Sequence, residues 1–115
     1  MKRGYVPDSG DLVWVSFDPQ AGHEQAGRRP ALVLSPREYN DKAGLALACP
    51  ITSRVKGYPF EVALRTGRVR GVVLADQIRS FDWRSRQFTF IEQAPADTLD
   101  MVVQTLQTIL PITED

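Results

Sequence analysis

The chain has 115 residues, of which 43% are hydrophobic and 24% charged, and its formal net charge at neutral pH is zero. This length and composition predict one soluble globular domain over residues 1–115, large enough for its own hydrophobic core. The single cysteine excludes an internal disulfide framework, and no apolar run reaches the length of a membrane span. The N-terminal residues contain no hydrophobic leader segment, so we expect a cytoplasmic protein with no membrane partner.

Six short strands are predicted from apolar or alternating runs that are bounded by turn residues. They cover residues 11–17, 31–34, 45–51, 60–64, 71–75 and 87–92. Residues 78–81 are compatible with a continuation of the fifth strand. Pro30 is expected at the first position of the second strand, because proline cannot donate to a sheet ladder.

Two helices are predicted. Ser35, Pro36 and Glu38 form a capping-box pattern that begins a short helix, and Gly44 ends it. A longer helix begins near residue 95 and carries an apolar stripe that we expect to pack on the core. The stripe consists of Leu99, Val102, Val103, Leu106, Ile109 and Leu110. Together the elements predict a mainly β, mostly antiparallel, barrel-like domain with a short helix and a C-terminal amphipathic helix.

Basic residues are concentrated in the middle of the chain. Residues 53–90 carry eight basic and three acidic side chains, whereas residues 91–115 carry five acidic and no basic ones. Eleven of the fourteen basic residues are arginine, which can bind phosphate or carboxylate through two parallel hydrogen bonds. The distribution favours an anionic partner, either nucleic acid or an acidic peptide. An arginine-rich composition without a functional cause explains it equally well.

Polar residues suited to catalysis lie in two predicted loops and at two strand ends. A long loop over residues 18–29 precedes the second strand, and a basic loop over residues 54–59 follows the third. Long loops in small domains are often functional. The candidates are His23, Glu24, Arg28, Arg29, Thr52, Ser53, Lys56, Asp76 and Gln77. Such a set, taken alone, is also typical of a solvated surface.

Composition excludes several kinds of site. One histidine and one cysteine cannot supply the usual zinc ligands, and no glycine-rich phosphate loop or nucleophile-elbow pattern is present. Cys49 lies in an apolar run, which raises the pKa of a thiol and argues against a nucleophile. Paired carboxylates for Mg²⁺ stay compatible with the composition, but no cluster of Asp or Glu residues indicates them. We therefore expect neither a metal ion nor a cofactor.

A carboxylate, arginines and hydroxyls can serve a reaction at phosphorus when RNA supplies the nucleophile. The 2′-OH needs a base to take its proton, cations and hydroxyls to stabilise the phosphorane, and a donor for the leaving 5′-oxygen. This chemistry requires no metal ion. DNA has no 2′-OH and would not be cleaved.

The runs GDLVWVSFDP and GHEQAGRRPALVLSP, followed by CPITS, KGYPFEV and GVVLADQIRS, carry a family resemblance. In this order they resemble the MazF/PemK-type endoribonuclease toxins of prokaryotic toxin–antitoxin pairs, over nearly the whole chain. The resemblance implies an SH3-like antiparallel barrel that forms a homodimer. It also implies sequence-specific, metal-independent cleavage of single-stranded mRNA, which leaves 2′,3′-cyclic phosphate and 5′-OH ends.

The same resemblance implies roles for individual residues. Arg29 and Thr52 match the central catalytic positions, and Glu24 matches a position proposed as general base. Because a guanidinium is effectively always protonated, we expect Arg29 to stabilise the transition state first and to act as an acid second. Some members carry an arginine acid where this chain has Leu74, so the mechanism here cannot depend on it. Asp76 is either a base or a structural partner of a nearby arginine.

Further residues are predicted to contact RNA. These are Phe17, His23, Arg28, Ser53, Lys56, Asp76 and Gln77. Phe17 and Trp83 are candidates for stacking on bases, although Phe17 fits a core position equally well. Lys56 is expected to attract phosphate, its alternative being a solvated loop residue.

The resemblance also implies partners. The expected ones are single-stranded RNA, a second copy of the chain, and a cognate antitoxin whose acidic disordered tail would complement the basic central segment. DNA would be bound only indirectly, through the toxin–antitoxin complex. The alternative is a non-catalytic SH3-like module that binds nucleic acid or an acidic peptide. Arg29 and Thr52 favour the enzyme, because a binding module has no need of that hydroxyl beside that guanidinium.

Overall fold

The computed structural model describes residues 4–16 and 27–111. This part of the chain holds seven strands and two helices: β1 (Asp11–Ser16), β2 (Arg28–Val33), α1 (Arg37–Ala43), β3 (Leu45–Thr52), β4 (Glu61–Arg65), β5 (Arg70–Leu74), β6 (Arg79–Asp82), β7 (Thr89–Gln93) and α2 (Ala96–Ile109). The strands form one sheet in the order β4-β5-β3-β2-β1-β7, with β6 also paired to β3. Every strand pair is antiparallel. The predicted mainly β fold class is confirmed.

Strand β3 is the centre of the sheet. One edge pairs with β2, while the other edge pairs first with β6, through Leu45–Ala48, and then with β5, through Ile51 and Thr52. The prediction that residues 78–81 continue the fifth strand is wrong. A 3₁₀ turn at Ala75–Gln77 ends β5, and the chain then returns as β6 along the other half of β3.

The sheet is covered on both faces, which explains why β1 is buried along nearly its whole length. Adjacent residues point to opposite faces, so Leu12 and Val13 enter different cores. The first core includes Leu12, Leu32, Cys49, Ile51, Val62, Leu64, Val73, Ile91 and Val102. The second includes Val13, Val15, Ala31, Val33, Ala46, Ala48, Phe81, Trp83 and Phe88.

The capping-box prediction for α1 is wrong. The helix begins at Arg37 after Pro36, without a side-chain cap from its own N-terminal segment. Ser35 is buried, and its hydroxyl accepts the Leu47 N–H at 2.9 Å instead. The carboxylate of Asp8 accepts the Arg37 N–H at 2.9 Å, so a residue distant in sequence satisfies the helix start. Gly44 ends the helix in a left-handed conformation, as predicted.

Helix α2 packs on the first core through only part of its predicted stripe. Val102 is fully buried, and Leu99 and Leu106 are partly buried against the core. Val103 and Ile109 are each 40% exposed and Leu110 is 63% exposed, so the prediction that these three are core residues is wrong. The apolar arc of the helix is wider than the surface that it covers. Neither described helix has the length and apolar character needed to cross a membrane.

Candidate active site

Strand β2 begins earlier than predicted. Arg28 and Arg29 belong to the strand rather than to the preceding loop, and Pro30 is its third residue rather than its first. Pro30 lies opposite Trp14 of β1, whereas the pairing of β2 with β3 begins only at Ala31. The proline therefore occupies the part of β2 that is paired on one side, where a missing N–H donor is tolerated.

The register between β2 and β3 brings two predicted catalytic residues together. Ala31 lies opposite Pro50, and each residue before Ala31 corresponds to one residue after Pro50. Continuing this register by two residues places Arg29 opposite Thr52. Cross-strand neighbours on one face of a sheet are close enough for their side chains to act on the same group.

Arg29 and Thr52 line a groove of about 590 Å³. Lys56, Asp76 and Gln77, three residues predicted to contact RNA, line the same groove. Its other lining side chains include the basic residues Arg54, Arg79 and Arg86, the aromatic residues Tyr58, Phe60 and Phe81, and Glu61. Basic side chains thus outnumber acidic ones by five to two in the groove, which favours an anionic ligand.

The same pair also lines a second groove, of about 350 Å³. It shares Arg29, Pro30, Ile51 and Thr52 with the first groove and adds Trp14, Arg28, Ser53, Arg68, Val69 and Arg70. The Arg28 guanidinium lies 5.0 Å from the centroid of the Trp14 ring, within cation–π range. Arg29 and Thr52 therefore line both of these basic grooves.

Local hydrogen bonds shape the segment that follows β3. The Arg54 N–H donates to Thr52 Oγ1 at 3.1 Å. This bond occupies a lone pair of the oxygen and leaves the hydroxyl proton available for another acceptor. The Glu61 carboxylate accepts the Lys56 and Gly57 N–H groups at 3.0 and 2.9 Å, and so holds the loop at the edge of the first groove.

Three of the predicted site residues, Phe17, His23 and Glu24, lie outside the described residues. All the others lie in one or both grooves: Arg28, Arg29, Thr52, Ser53, Lys56, Asp76 and Gln77. Their positions agree with a shared site, and their individual roles stay predictions.

Trp83 is wrong as a candidate for base stacking. Its side chain is 5% exposed, and its indole N–H donates to the Asn40 carbonyl at 2.8 Å, so it is a core residue. The exposed aromatic residues of the first groove are Tyr58, at 57%, and Phe60, at 36%. Sequence reasoning missed both, although two aromatic residues beside a proline in a basic loop were the available signal.

Several arginines of the grooves were also missed as individual site residues. Arg79 lies 4.9 Å and Arg86 lies 6.0 Å from the centroid of the Phe81 ring, and the Arg86 guanidinium donates to the Ser16 carbonyl at 3.4 Å. The surplus of basic residues between positions 53 and 90 was the only sequence signal for them. Arg79 and Phe81 lie two residues apart in β6, and Arg86 lies in the turn that follows this strand.

Cys49 is fully buried in the first core. Burial, and to a lesser degree the negative charge of Asp76, raise the pKa of its thiol to about 12. The thiol is therefore neutral near pH 7, and the prediction that it is no nucleophile is supported. In the described part of the chain, no three His, Cys, Asp or Glu side chains lie together as a metal-binding group would.

Comparison with known proteins decides the family. The family model described as "PemK-like, MazF-like toxin of type II toxin-antitoxin system" matches residues 8–110. The chain belongs to this family. The resemblance predicted from the ordered motifs is confirmed.

Individual members of the PemK/MazF-like family agree closely with the chain. It is 57% identical over 89 residues to the endoribonuclease toxin MazF of Escherichia coli K12, which covers 77% of this chain and 80% of that protein. Its structure matches crystal structures from Deinococcus radiodurans. For MazF the TM-score is 0.84 at 60% identity, covering 95% of this chain and 100% of the other. For a MazE–MazF complex the TM-score is 0.85 at 53% identity, with coverages of 96% and 100%.

Proposed function

We propose that this chain is an endoribonuclease toxin that cleaves single-stranded RNA beside Arg29 and Thr52, which line both basic grooves, without a metal ion. The predicted endoribonuclease class is confirmed by the family and by the relative that is 57% identical. The observation that carries the site is that Arg29 and Thr52 line both basic grooves. A flexible strand that lies in both grooves would pass the residues that the grooves share, and of these Arg29 and Thr52 have polar side chains that can bind a phosphate.

The reaction begins with the 2′-oxygen of the RNA. This oxygen loses its proton to a general base and attacks the adjacent phosphorus, the P–O5′ bond breaks, and the 5′-oxygen takes up a proton. The products are a 2′,3′-cyclic phosphate and a 5′-OH. All the bonds that change belong to RNA, so the protein supplies position, charge and proton transfer.

Arg29 and Thr52 are assigned to the developing negative charge. A guanidinium stays protonated throughout turnover, so Arg29 is suited to stabilising the phosphorane rather than to donating its proton. Thr52 can donate its hydroxyl proton to a non-bridging oxygen, because Oγ1 already accepts the Arg54 N–H. Glu24 and Asp76 stay the candidates for the base. Asp76 is an exposed carboxylate in the first groove, as this role requires.

The two grooves also bear on the partners. The basic surplus in the first groove suits an RNA backbone and equally the acidic tail expected of a cognate antitoxin. MazE–MazF is a complex in the Deinococcus radiodurans protein. We propose that an antitoxin inhibits this chain by occupying the grooves that RNA would use. A homodimer stays part of the same proposal.

The test is incubation of the purified chain with a mixed-sequence RNA in excess EDTA. We expect discrete fragments with 5′-OH ends. Arg29→Ala and Thr52→Ala should each lower the cleavage rate by about 10²- to 10³-fold, the loss typical of removing one group that stabilises the transition state. Arg65→Ala is the matched control, because Arg65 is an exposed arginine of β4 outside both grooves.

Each outcome separates the two classes of function. RNA that is bound but stays intact would favour the non-catalytic binding module. Cleavage that Arg29→Ala and Thr52→Ala leave unchanged would place the reaction elsewhere. Cleavage that EDTA abolishes would remove the metal-independent mechanism.

A further inference from the structure

Strand β5 approaches the backbone of Thr52 more closely than a side chain would allow. Thr52 lies opposite Val72 in the last recorded pair between β3 and β5, so Gly71 is the next residue along β5. A Cβ atom on Gly71 would lie 2.1 Å from the Thr52 carbonyl oxygen, 2.9 Å from its carbonyl carbon and 3.1 Å from the Ser53 Cα. The first two separations are shorter than any real contact of a Cβ atom, and all three atoms are backbone.

The conformation of Gly71 also excludes most other residues. Its φ is +145°, a region that L-residues other than glycine rarely adopt. Gly71 is paired on its other side with Leu64 of β4, so it cannot retreat from Thr52 without disturbing that pair. A side chain at position 71 would therefore have to move the Thr52–Ser53 peptide group.

The peptide group in question carries a catalytic side chain. Thr52 is held by its pairing with Val72, by the Arg54 N–H on its Oγ1 and by the contact with Gly71. The direction of its hydroxyl follows from the orientation of its backbone. We propose that Gly71 is a positioning residue, whose missing side chain fixes the Thr52–Ser53 peptide and so directs the Thr52 hydroxyl into the grooves.

This inference rests on the proposed role of Thr52 and goes beyond it. Gly71 lines neither of the two grooves beside Thr52, so an effect on those grooves has to pass through a neighbouring residue, and the Thr52 carbonyl is the group nearest to it. A shift of about 1 Å in a catalytic group can cost about 10²-fold in rate. We therefore expect Gly71→Ala to lower the single-turnover cleavage rate about 10- to 100-fold. Binding of a 2′-O-methylated copy of the RNA, which lacks the nucleophile, should change less than about twofold.

A double-mutant cycle separates positioning from general damage. If Gly71 acts through Thr52, then Gly71→Ala should lower the rate by less than about twofold once Thr52 is already alanine. If the cleavage rate of the double variant is lowered by the full product of the two single-variant losses, the proposal is wrong.

Two control variants match the other effects of the substitution. Gly44→Ala places a side chain at a φ of +72° with no atom within 4 Å, so it introduces backbone strain without a close contact. Val73→Ala weakens the same strand from a buried position outside both grooves. Both should retain the wild-type rate per folded molecule. If Gly71→Ala does the same, the proposal is wrong.

The folding of Gly71→Ala is itself informative. Its circular dichroism and the NMR shifts of the Thr52 and Ser53 amides should show a folded chain with a local change at these two residues. If the variant is unfolded at 25 °C, the cycle is repeated in trimethylamine N-oxide, which favours compact states. A chain that stays unfolded there would show that Gly71 serves the sheet as a whole, against the proposal.

The same experiment separates this inference from the proposed function. If the wild-type chain does not cleave RNA, or if Thr52→Ala cleaves at the wild-type rate, the proposed function fails first. If both results are as expected but Gly71→Ala behaves like Gly44→Ala, only the positioning role fails.

Discussion

Two groups of polar side chains lie near the two ends of β3 and differ in how their hydrogen bonds are used. Near the first end, the Asn40 cluster, formed by Asn40, Ser35 and Trp83, is buried. The Asn40 amide donates to the Pro7 and Ser35 carbonyls at 2.8 and 3.0 Å, and its Oδ1 accepts the Ser35 hydroxyl at 2.5 Å. The Trp83 indole N–H donates to the Asn40 carbonyl. Every polar group of the Asn40 side chain is used inside the protein.

The grooves at the other end of β3 are arranged in the opposite way. Asp76 and Gln77 are exposed and Thr52 is half-buried, and all three side chains line the first groove. Polar groups that are saturated by internal partners stabilise a fold, since burying them unpaired would be costly. Polar groups that face a groove contribute little to stability and are available to a ligand. The two clusters should therefore respond to mutation in opposite ways.

The largest expected effect is on stability, from Asn40→Ala. The change leaves the Pro7 and Ser35 carbonyls and the Ser35 hydroxyl without their buried partner. Each unsatisfied buried group costs about 1–3 kcal/mol, so we expect the free energy of unfolding to fall by about 3 kcal/mol. Urea denaturation measures it.

The control for Asn40→Ala is its exposed neighbour in α1. Tyr39→Ala should change the free energy of unfolding by less than about 0.5 kcal/mol, because Tyr39 is 43% exposed. Where Asn40→Ala is folded, it should cleave RNA at the wild-type rate per folded molecule. A lower rate would show that the two clusters are coupled, and would remove the contrast between them.

A smaller effect on stability is expected at alkaline pH. The pKa of Cys49 is about 12 in the folded chain and 9.0 without burial, so the folded state holds the proton more tightly. The buried Cys49 thiol therefore contributes to the free energy of unfolding. This contribution is complete below pH 9 and is lost as the pH rises towards 12. The pKa of Tyr5 is also raised, by burial and by its hydrogen bond to Asp11, so it adds to the loss above pH 10.

We expect the melting temperature to fall steadily from pH 8.5 to pH 10.5, with a shallower decline in Cys49→Ala than in the wild-type chain. Cys49→Ala also creates a small cavity, so its stability should be lower at every pH. The slope with pH, rather than the melting temperature itself, is the quantity to compare. Equal slopes in the two proteins would contradict a buried thiol that holds its proton.

The smallest effect is expected from Lys56→Ala, and it should be on binding alone. Lys56 is exposed in the first groove, and the N–H that donates to Glu61 belongs to its backbone and is kept. Removing one phosphate contact should weaken binding of the 2′-O-methylated RNA by about 1 kcal/mol and lower the salt dependence of log K by about 0.7. Fluorescence anisotropy at several salt concentrations measures both.

Lys42→Ala is the matched control for Lys56→Ala. Lys42 is an exposed lysine in the last turn of α1, outside both grooves. It should leave binding and its salt dependence unchanged. An equal loss in both variants would indicate that RNA responds to overall charge and not to the groove.

The amino-acid sequence by itself determined the class of fold, most of its elements and the family. Short apolar runs bounded by glycine, proline and polar residues indicated the strands, because burial and turn chemistry are local properties of the chain. The position of Gly44 gave the end of α1. The ordered motifs gave the family, and with it the pair Arg29 and Thr52.

Only the tertiary structure decided how these parts meet. The Arg37 N–H at the start of α1 donates to Asp8, whereas the Ser35 hydroxyl accepts the Leu47 N–H. Asp8 precedes β1 and Ser35 follows β2, and the local sequence pattern does not show how these strands pair. Half of the predicted stripe of α2 is exposed, because a pattern shows which residues are apolar and not how wide a surface receives them. Arg29 reaches Thr52 only through the register of β2 with β3, and Gly71 reaches it only because β3 exchanges one partner strand for another. Contacts between residues far apart in sequence depend on such pairings, which is why they could not be derived from the chain alone.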